Sequence, residues 1–216
     1  MSDGAAASAH AAIVLAAGGS RRLGHPKQLL TRGGEALVHR AVRLAVASGA
    51  TRVVAVLGCG HARVAQAIAD LDVEVHVNAH WEQGLAGSLQ LAAHALQEHA
   101  SSSIAAMAPV ARVLILGCDQ PALEAAHLQQ LLSGSAVAAS GCAATVHGER
   151  LGSPAAVPVA WLQSMQDLQG DRGFGAHLNA FAPDRVWRLH APELQLDIDT
   201  PENEQAAIAR GLLDGA

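Results

Sequence analysis

The sequence predicts a three-layer α/β/α protein, a mostly parallel sheet covered by helices on both faces, with a small β embellishment. Three observations support this fold class. Apolar runs alternate along the chain with segments whose apolar residues recur at helical spacing, and the apolar runs are continuous. Continuous apolar strands are typical of parallel sheets that are buried on both sides. The chain has 216 residues and is 50% hydrophobic, which is sufficient for a well-buried core.

Short aliphatic runs that end at turn residues predict the strands. The predicted strands are 12–17, 51–58, 73–78, 111–121, 136–140, 142–148, 184–191 and 194–199. Longer segments with apolar residues at helical spacing predict the helices. The predicted helices are 35–50, 61–71, 85–100, 123–134, a stretch around 161–168, and 200–213.

Two of these helices carry recognisable end signals. Gly49 follows the first helix as a C-cap, where glycine accepts a left-handed backbone. Thr200 is the predicted N-cap of the last helix, Pro201 occupies its first position, and Asn203 and Glu204 lie in its first turn. These signals fix where the helices begin or end more firmly than apolar periodicity does.

The chain is expected to form one domain, because no internal repeat or linker interrupts it. Residues 1–10 are interpreted as a flexible N-terminus and residues 11–216 as a single domain, with 101–103 and Pro109 forming the most flexible connection. The N-terminus has no basic region of the kind that begins a secretory signal. The apolar stretch 104–118 is interrupted by a proline and an arginine, so we expect no membrane span.

Composition argues against a nucleic-acid partner and against a disulfide framework. The formal net charge is −5 and aromatic residues make up 2% of the chain, whereas nucleic-acid binders cluster basic residues and often stack bases on aromatic rings. Cys59, Cys118 and Cys142 show no CxxC spacing, and their odd number gives no disulfide framework. We therefore expect a cytoplasmic protein with reduced thiols that binds neither nucleic acid nor membrane.

The loop after the first strand has the composition of a phosphate site. In LAAGGSRRLGHPKQLL (15–30), glycines are followed by Arg22 and Lys27. The loop is not a Walker A motif, because His25 stands where that motif requires lysine, and adjacent Gly18 and Gly19 exclude the dinucleotide fingerprint. What remains is a strand followed by a Gly-Gly-Ser turn whose backbone amides can face phosphate oxygens. An ordinary strand-to-helix loop with solvated charges is the alternative.

Three further carboxylates lie on or at the ends of other predicted strands. Asp119 comes just after the strand in VLILGCDQP, where a carboxylate can hold Mg²⁺ against nucleotide phosphates, although an aspartate before Pro121 is also a common turn residue. Asp197 and Asp199 are two apart on a predicted strand, so their side chains are expected on one face. A cation between them would relieve their repulsion. Asp199 alternatively caps the turn into the last helix.

Together these three segments resemble the nucleotidyltransferases related to the molybdenum cofactor guanylyl- and cytidylyltransferases. The first segment fits the family pattern LAAGxSxRxGxxK at every fixed position. LAAG and DQP are more similar to the cytidylyltransferase branch, because the guanylyltransferase branch usually has LAGG and DMP. Supporting similarities occur in NAHWEQGLAGSLQLA, HGERLGSPAAVP and QGDRGFGAHL. The resemblance runs from about Ile13 to Ala207 and implies a Rossmann-like (GT-A-like) nucleotidyltransferase sheet.

The resemblance also implies a reaction, in which the terminal phosphate of molybdopterin attacks CTP and pyrophosphate leaves. The implied nucleotide contacts are Leu15, Ala16, Ala17, Gly18, Gly19, Ser20, Arg22, Lys27 and Gln120. Arg22, Lys27 and Asp119 are the implied catalytic residues, and Asp119 with one or both of Asp197 and Asp199 is implied to hold Mg²⁺ as cofactor. Ala17 is the residue that favours CTP over GTP, on resemblance alone.

The resemblance assigns fewer residues to the second substrate and to protein partners than to the nucleotide. Ser88 is a further candidate contact for nucleotide or pterin, and Asp171 and Arg172 for the second substrate, unless they form a charge pair at the start of a helix. Gly175 stands where related chains often have arginine. A molybdoenzyme or its maturation chaperone is a possible partner. The alternatives are a related nucleotidyltransferase that uses GTP or a sugar-phosphate acceptor, and a non-catalytic chaperone that binds molybdenum cofactor.

Overall fold

The computed structural model describes residues 9–100, 110–164 and 174–215. The predicted connection at 101–103 and Pro109 lies outside the described residues, as do Asp171 and Arg172. Among the described residues, no helix combines the length and apolar character that crossing a bilayer requires.

Nine strands occur in the described part of the chain. They are β1 (His10–Ala16), β2 (Thr31–Arg32), β3 (Glu35–Ala36), β4 (Arg52–Leu57), β5 (Glu74–Val77), β6 (Arg112–Gly117), β7 (Ala143–His147), β8 (Arg150–Pro158) and β9 (Trp187–Leu189). Seven of them form one sheet in the order β5-β4-β1-β6-β8-β7-β9, while β2 and β3 form a separate antiparallel hairpin. Within the described sheet only β8 runs against the others. The predicted mostly parallel sheet with a small β embellishment is therefore confirmed.

The helices cover the sheet and extend from it. They are α1 (Leu37–Ala47), α2 (His61–Gln66), α3 (Leu85–Ala100), α4 (Ala125–Val137), α5 (Val159–Ser164), α6 (Gly175–Asn179) and α7 (Pro201–Ala209). Three short 3-10 turns cover Lys27–Leu29, Trp81–Gln83 and Pro192–Gln195. Gly49 has φ +82° after α1, as its predicted C-cap role requires.

Alternate residues of β1 divide the core into two layers. Ala12 and Val14 pack into a cluster that contains side chains of α1, α2 and α4, and Ala11 and Ile13 pack into a second cluster with α3, α5 and α6. All four are fully buried. The side-chain period of two along a strand thus places helices on both faces, which is the predicted three-layer arrangement.

A third, smaller cluster fixes the C-terminal segment near the glycine loop. Leu23 of that loop packs with Leu37 of α1, Ile198 and Ala207 of α7. Thr200 caps α7, since its hydroxyl accepts the amide of Asn203 while the Asn203 side chain accepts the amide of Thr200. The predicted cap is confirmed, and the cluster around Leu23 places the segment before α7 next to the loop after β1.

Several predicted boundaries are wrong for identifiable reasons. The 136–140 segment is not a strand, because α4 continues to Val137 and the amide of Ala138 still donates to Gly134. The 194–199 segment is not a strand either: it completes a 3-10 turn that begins at Pro192 and continues without regular structure. The backbone amide of Ile198 in this segment donates to Asp119 O in the turn after β6, which lies beyond the last paired residues of the sheet. His10 is not part of a flexible N-terminus but the first, buried residue of β1.

Candidate active site

A cleft of about 450 Å³ opens at the carboxyl ends of β1 and β6. Its walls are the glycine loop after β1, the turn after β6, the 3-10 turn at Trp81–Gln83 and the start of α3. Clefts at the carboxyl ends of parallel strands are the usual ligand sites of such sheets. The predicted residues that line it are Leu15, Ala16, Ala17, Gly18, Gly19, Ser20, Arg22, Lys27, Asp119 and Ser88.

The glycine loop is held by hydrogen bonds to its carbonyl oxygens. The Gln28 side-chain amide donates to Ala16 O at 3.0 Å and to Gly18 O at 2.7 Å. The backbone amide of Cys59 donates to Ala17 O at 3.1 Å. Ser20 adopts φ +49°, and its hydroxyl accepts the backbone amide of Lys27 at 3.1 Å. Because the carbonyls are bonded on the protein side, protein contacts define the conformation of the loop.

Trp81 forms a wall of the cleft and explains two of the glycines. A side chain at Gly19 would meet the Trp81 ring at 2.5 Å, and one at Gly58 would meet the Trp81 Cβ at 2.7 Å. The Arg21 guanidinium lies 5.4 Å from the centroid of the Trp81 ring and pairs with Glu82. Trp81 is therefore both a packing residue and a cleft residue, and the partners of Arg21 are Glu82 and the Trp81 ring.

Lys27 joins the loop to two carboxylates. Its Nζ lies 2.7 Å from Asp119 Oδ2 and 2.7 Å from Asp199 Oδ1, and Arg22 lies 2.9 Å from Asp199 Oδ2. Burial alone would lower the pKa of the Lys27 ammonium, but its attraction and hydrogen bonds to Asp119 and Asp199 outweigh burial and raise that pKa. Lys27 consequently remains charged at neutral pH and cannot serve as a general base.

Asp197 has a different environment from Asp199, although both lie near Asp119. Burial is the largest cause that raises the pKa of Asp197 to about 7, and repulsion from Asp119 and Asp199 adds to it. For Asp199, burial is opposed by Lys27 and Arg22, which together hold its pKa below the usual value. The two carboxylates are not paired on one face of a strand, because the segment is irregular and Asp197 faces a second cleft.

The oxygen donors suit a hard divalent cation, but they are not gathered around one point. Asp197 Oδ1 is buried and has no hydrogen-bond partner among the described residues, so it is available to a cation. Carboxylate oxygens are the donors that Mg²⁺ and Mn²⁺ prefer. Within the described chain, however, no three acidic, histidine or cysteine side chains form a ready metal cluster. Lys27 lies between Asp119 and Asp199, so a cation would have to displace its ammonium.

The raised pKa of Asp197 predicts a specific dependence of stability on pH. As pH rises from about 4 to about 7, the unfolded chain releases this proton while the folded chain keeps it, so the carboxyl progressively destabilises the fold. In metal-free buffer, Asp197→Asn should raise the free energy of unfolding by roughly 2–4 kcal/mol at pH 8. At pH 4 or below the gain should disappear.

Urea unfolding of both proteins at pH 4 and pH 8, with chelator present, measures this effect. Asp72→Asn, an exposed aspartate before β5, serves as control and should show no such gain. A gain for Asp197→Asn that is equal at both pH values would contradict the assigned environment of Asp197.

Gln120 was predicted to contact the nucleotide, but its side chain has a structural role. It is 6% exposed, and its amide donates to Ser153 O at 3.2 Å and Leu194 O at 3.1 Å. These bonds tie the turn after β6 to β8 and to the segment that precedes Asp197. Ser88 lines the cleft, yet it is buried and accepts a hydrogen bond from Asn78 at 3.0 Å. Cys118 also lines it, but burial raises its thiol pKa to about 12, which excludes it as a nucleophile.

A second cleft, of about 400 Å³, was not predicted from the sequence. It lies beside the β7–β8 hairpin and shares Asp197 with the carboxylate cluster, and its lining also includes His147, Ser153 and Gln195. The His147 ring nitrogen lies 2.7 Å from Ser153 O. Gln28, which organises the loop, was likewise missed; its position directly after Lys27 was the one available signal.

The fold and the cleft agree with the protein family that the chain matches. The model of the MobA-like NTP transferase domain family matches residues 12–186. The chain belongs to this family. The resemblance stated from the sequence is thus confirmed at the level of the family, while the cytidylyltransferase branch stays a prediction. No curated protein matches the chain.

Several solved structures share the fold of this chain. Rv0371c from Mycobacterium tuberculosis H37Rv is 23% identical, with a TM-score of 0.77 over 94% of this chain and 98% of that one. Its complex with manganese gives 20% identity and a TM-score of 0.71 over 94% and 99%. A nucleotidyl transferase from Methanothermobacter thermautotroptrophicus is 21% identical, with a TM-score of 0.74 over 94% and 98%.

A more distant structure is that of a molybdopterin-guanine dinucleotide biosynthesis protein. Molybdopterin-guanine dinucleotide biosynthesis protein A from Archaeoglobus fulgidus is 16% identical, with a TM-score of 0.60 over 91% of this chain and 96% of that one. At these identities the likeness establishes the fold, and the predicted α/β nucleotidyltransferase fold is confirmed.

Proposed function

We propose that this chain transfers CMP from CTP to the terminal phosphate of molybdopterin and releases pyrophosphate. The observation that carries the proposal is the cluster in which Lys27 Nζ lies 2.7 Å from both Asp119 and Asp199 beside the glycine-loop cleft. Cations, free loop amides and carboxylates at one place suit a metal-bound triphosphate. CTP is preferred over GTP because Ala17 and the DQP sequence resemble the cytidylyltransferase branch.

The loop and its two cations would bind the triphosphate. The amides of residues 17–20 donate to phosphate oxygens, Arg22 can grip two oxygens at once, and Lys27 supplies a movable point charge. The acceptor phosphate oxygen forms a bond to the α-phosphorus as the bond from that phosphorus to the bridging oxygen breaks. Negative charge then grows on the leaving pyrophosphate, and the same cations stabilise it.

The three carboxylates would hold the divalent cation. Asp119 and Asp199 would hold the cation in place of Lys27, and Oδ1 of Asp197, which has no hydrogen-bond partner among the described residues, would be a further oxygen donor. A bound Mg²⁺ would neutralise charge on the triphosphate oxygens. Lys27, once displaced from the carboxylates, is free to turn toward the phosphates.

The second cleft supports a site for the acceptor. Asp197 belongs both to its wall and to the carboxylate cluster, so an acceptor phosphate placed there would lie next to the carboxylates proposed to hold the cation. A volume of about 400 Å³ is in the range of small-molecule sites. Gly175, in place of an arginine that related chains often carry, lies so close to β8 that a side chain there would meet Leu151 O at 3.0 Å.

Pyrophosphate release with each of the four NTPs, with and without molybdopterin, tests the proposal. We expect release that requires CTP, molybdopterin and Mg²⁺ together and that stops when chelator is added. Release with GTP or with a sugar phosphate as acceptor would replace the proposed substrates by those of a related nucleotidyltransferase. Tight pterin binding without turnover with any NTP would instead indicate a carrier that delivers cofactor to a molybdoenzyme or its maturation chaperone.

A further inference from the structure

Gln28 is the most buried polar side chain next to the cleft that the proposed reaction does not use. It is 1% exposed and lies in the 3-10 turn at Lys27–Leu29, on the protein side of the glycine loop. Lys27 in the same turn points toward the carboxylates. The same 3-10 turn therefore places the Lys27 ammonium at Asp119 and Asp199 and the Gln28 side-chain amide at the carbonyls of the glycine loop.

The hydrogen bonds of Gln28 determine how two loop peptides are turned. In a trans peptide the carbonyl of one residue and the amide of the next point in opposite directions. Since Gln28 binds Gly18 O, the amide of Gly19 points away from Gln28, toward the open side of the loop. The same reasoning places the amide of Ala17 opposite Ala16 O.

A second anchor completes the pattern. Ala17 O accepts the amide of Cys59, which turns the amide of Gly18 away from β4. Ala17 O is bonded by Cys59 rather than by Gln28, so the Gly18 amide is oriented separately from its neighbours. Gln28 orients two amides, those of Ala17 and Gly19, to the side of the loop opposite its own side chain. Backbone amides presented together in a glycine turn can bind an anion.

We propose that Gln28 is a positioning residue that holds the glycine-loop amides toward the phosphates of the nucleotide. The inference rests on the proposed function for the identity of its ligand, but its own claim concerns phosphate binding. Without the Gln28 donors, Ala16 O and Gly18 O would lose their hydrogen bonds, and rotation of the two peptides would let these oxygens find other partners. Rotated peptides would turn carbonyl oxygens toward the phosphates, and the carbonyl and phosphate oxygens would repel each other.

Gln28→Met tests this claim, because methionine has a similar length and donates no hydrogen bond. Calorimetric binding of tripolyphosphate with Mg²⁺, and of CTP with Mg²⁺, should weaken by about 10- to 100-fold. Where turnover is measured, KM for the nucleotide should rise by a similar factor. Thr145→Val is the matched control: it removes a buried donor to the carbonyl of Pro154 on β8, outside the cleft. It should leave tripolyphosphate affinity within about threefold of wild type.

The outcomes separate this inference from the proposed function. A folded Gln28→Met that binds tripolyphosphate as tightly as wild type, or a wild type that does not bind it, overturns the inference. Loss of binding in Gln28→Met alone supports it even if no NTP is turned over, in which case only the proposed function fails. Should Gln28→Met not fold, amide NMR of the wild type decides. The Ala17 and Gly19 amide resonances should shift when tripolyphosphate binds, and unmoved resonances overturn the inference.

Discussion

Asp119→Ala should abolish nucleotidyl transfer and leave the fold intact. The proposed site uses the Asp119 carboxylate to hold the cation that neutralises the triphosphate, and removing one such group lowers turnover by about a thousandfold or more. The fold should survive because the backbone carbonyl of Asp119, not its side chain, accepts the amide of Ile198 at 2.9 Å. Pyrophosphate release gives the rate, and circular dichroism with thermal unfolding gives the fold.

Two companions make the result specific. Asp119→Asn keeps the shape of the side chain and removes its charge, so it should be almost as inactive as the alanine variant. Asp72→Ala removes an exposed carboxylate that precedes β5, at the opposite end of the sheet, and should be fully active. Near-normal turnover by a folded Asp119→Ala would contradict the metal-holding role of Asp119.

The sequence correctly predicted those elements that residues close together in the chain determine, such as helices and their caps. α3 has the predicted bounds 85–100, and the Thr200 cap appears as its sequence requires. The prediction of a strand at 194–199 failed because alternating apolar residues resemble a strand, whereas in the described chain this segment is not part of the sheet and its Ile198 amide bonds instead to Asp119 O beyond the end of β6. A strand exists only when it is paired, and pairing is a property of the whole fold.

The site was predictable to the extent that its residues occur in short motifs. Lys27 and Asp119 are 92 residues apart, yet each lies beside the carboxyl end of a parallel strand, so the fold class brings them together. Gln120 was misassigned because its proximity to Asp119 in sequence does not reveal that its amide points inward to two carbonyls. Gln28 was missed for the complementary reason, since its role depends on carbonyls 10 and 12 residues away that bend back over it.

Lys27→Met should have two opposite effects. Turnover should fall by about 100- to 1,000-fold, because the triphosphate loses a cation as charge builds on the leaving pyrophosphate. The affinity for free Mn²⁺ without nucleotide should instead rise by about 5- to 10-fold, because the ammonium no longer neutralises Asp119 and Asp199. Electron paramagnetic resonance of unbound Mn²⁺ measures that affinity independently of activity.

Arg21→Met is the control for the metal titration. It removes a cation from the same loop, but Arg21 pairs with Glu82 and lies against Trp81, so Mn²⁺ affinity should stay at the wild-type value. Weak metal binding by the wild type without nucleotide, together with stronger binding by Lys27→Met, would mean that the Lys27 ammonium competes with the metal for Asp119 and Asp199. The competition would end when Lys27 binds the phosphates of a nucleotide. Unchanged or weaker Mn²⁺ binding by Lys27→Met would show that the cation does not compete with the ammonium, and the assignment of Asp119 and Asp199 as its ligands would fail.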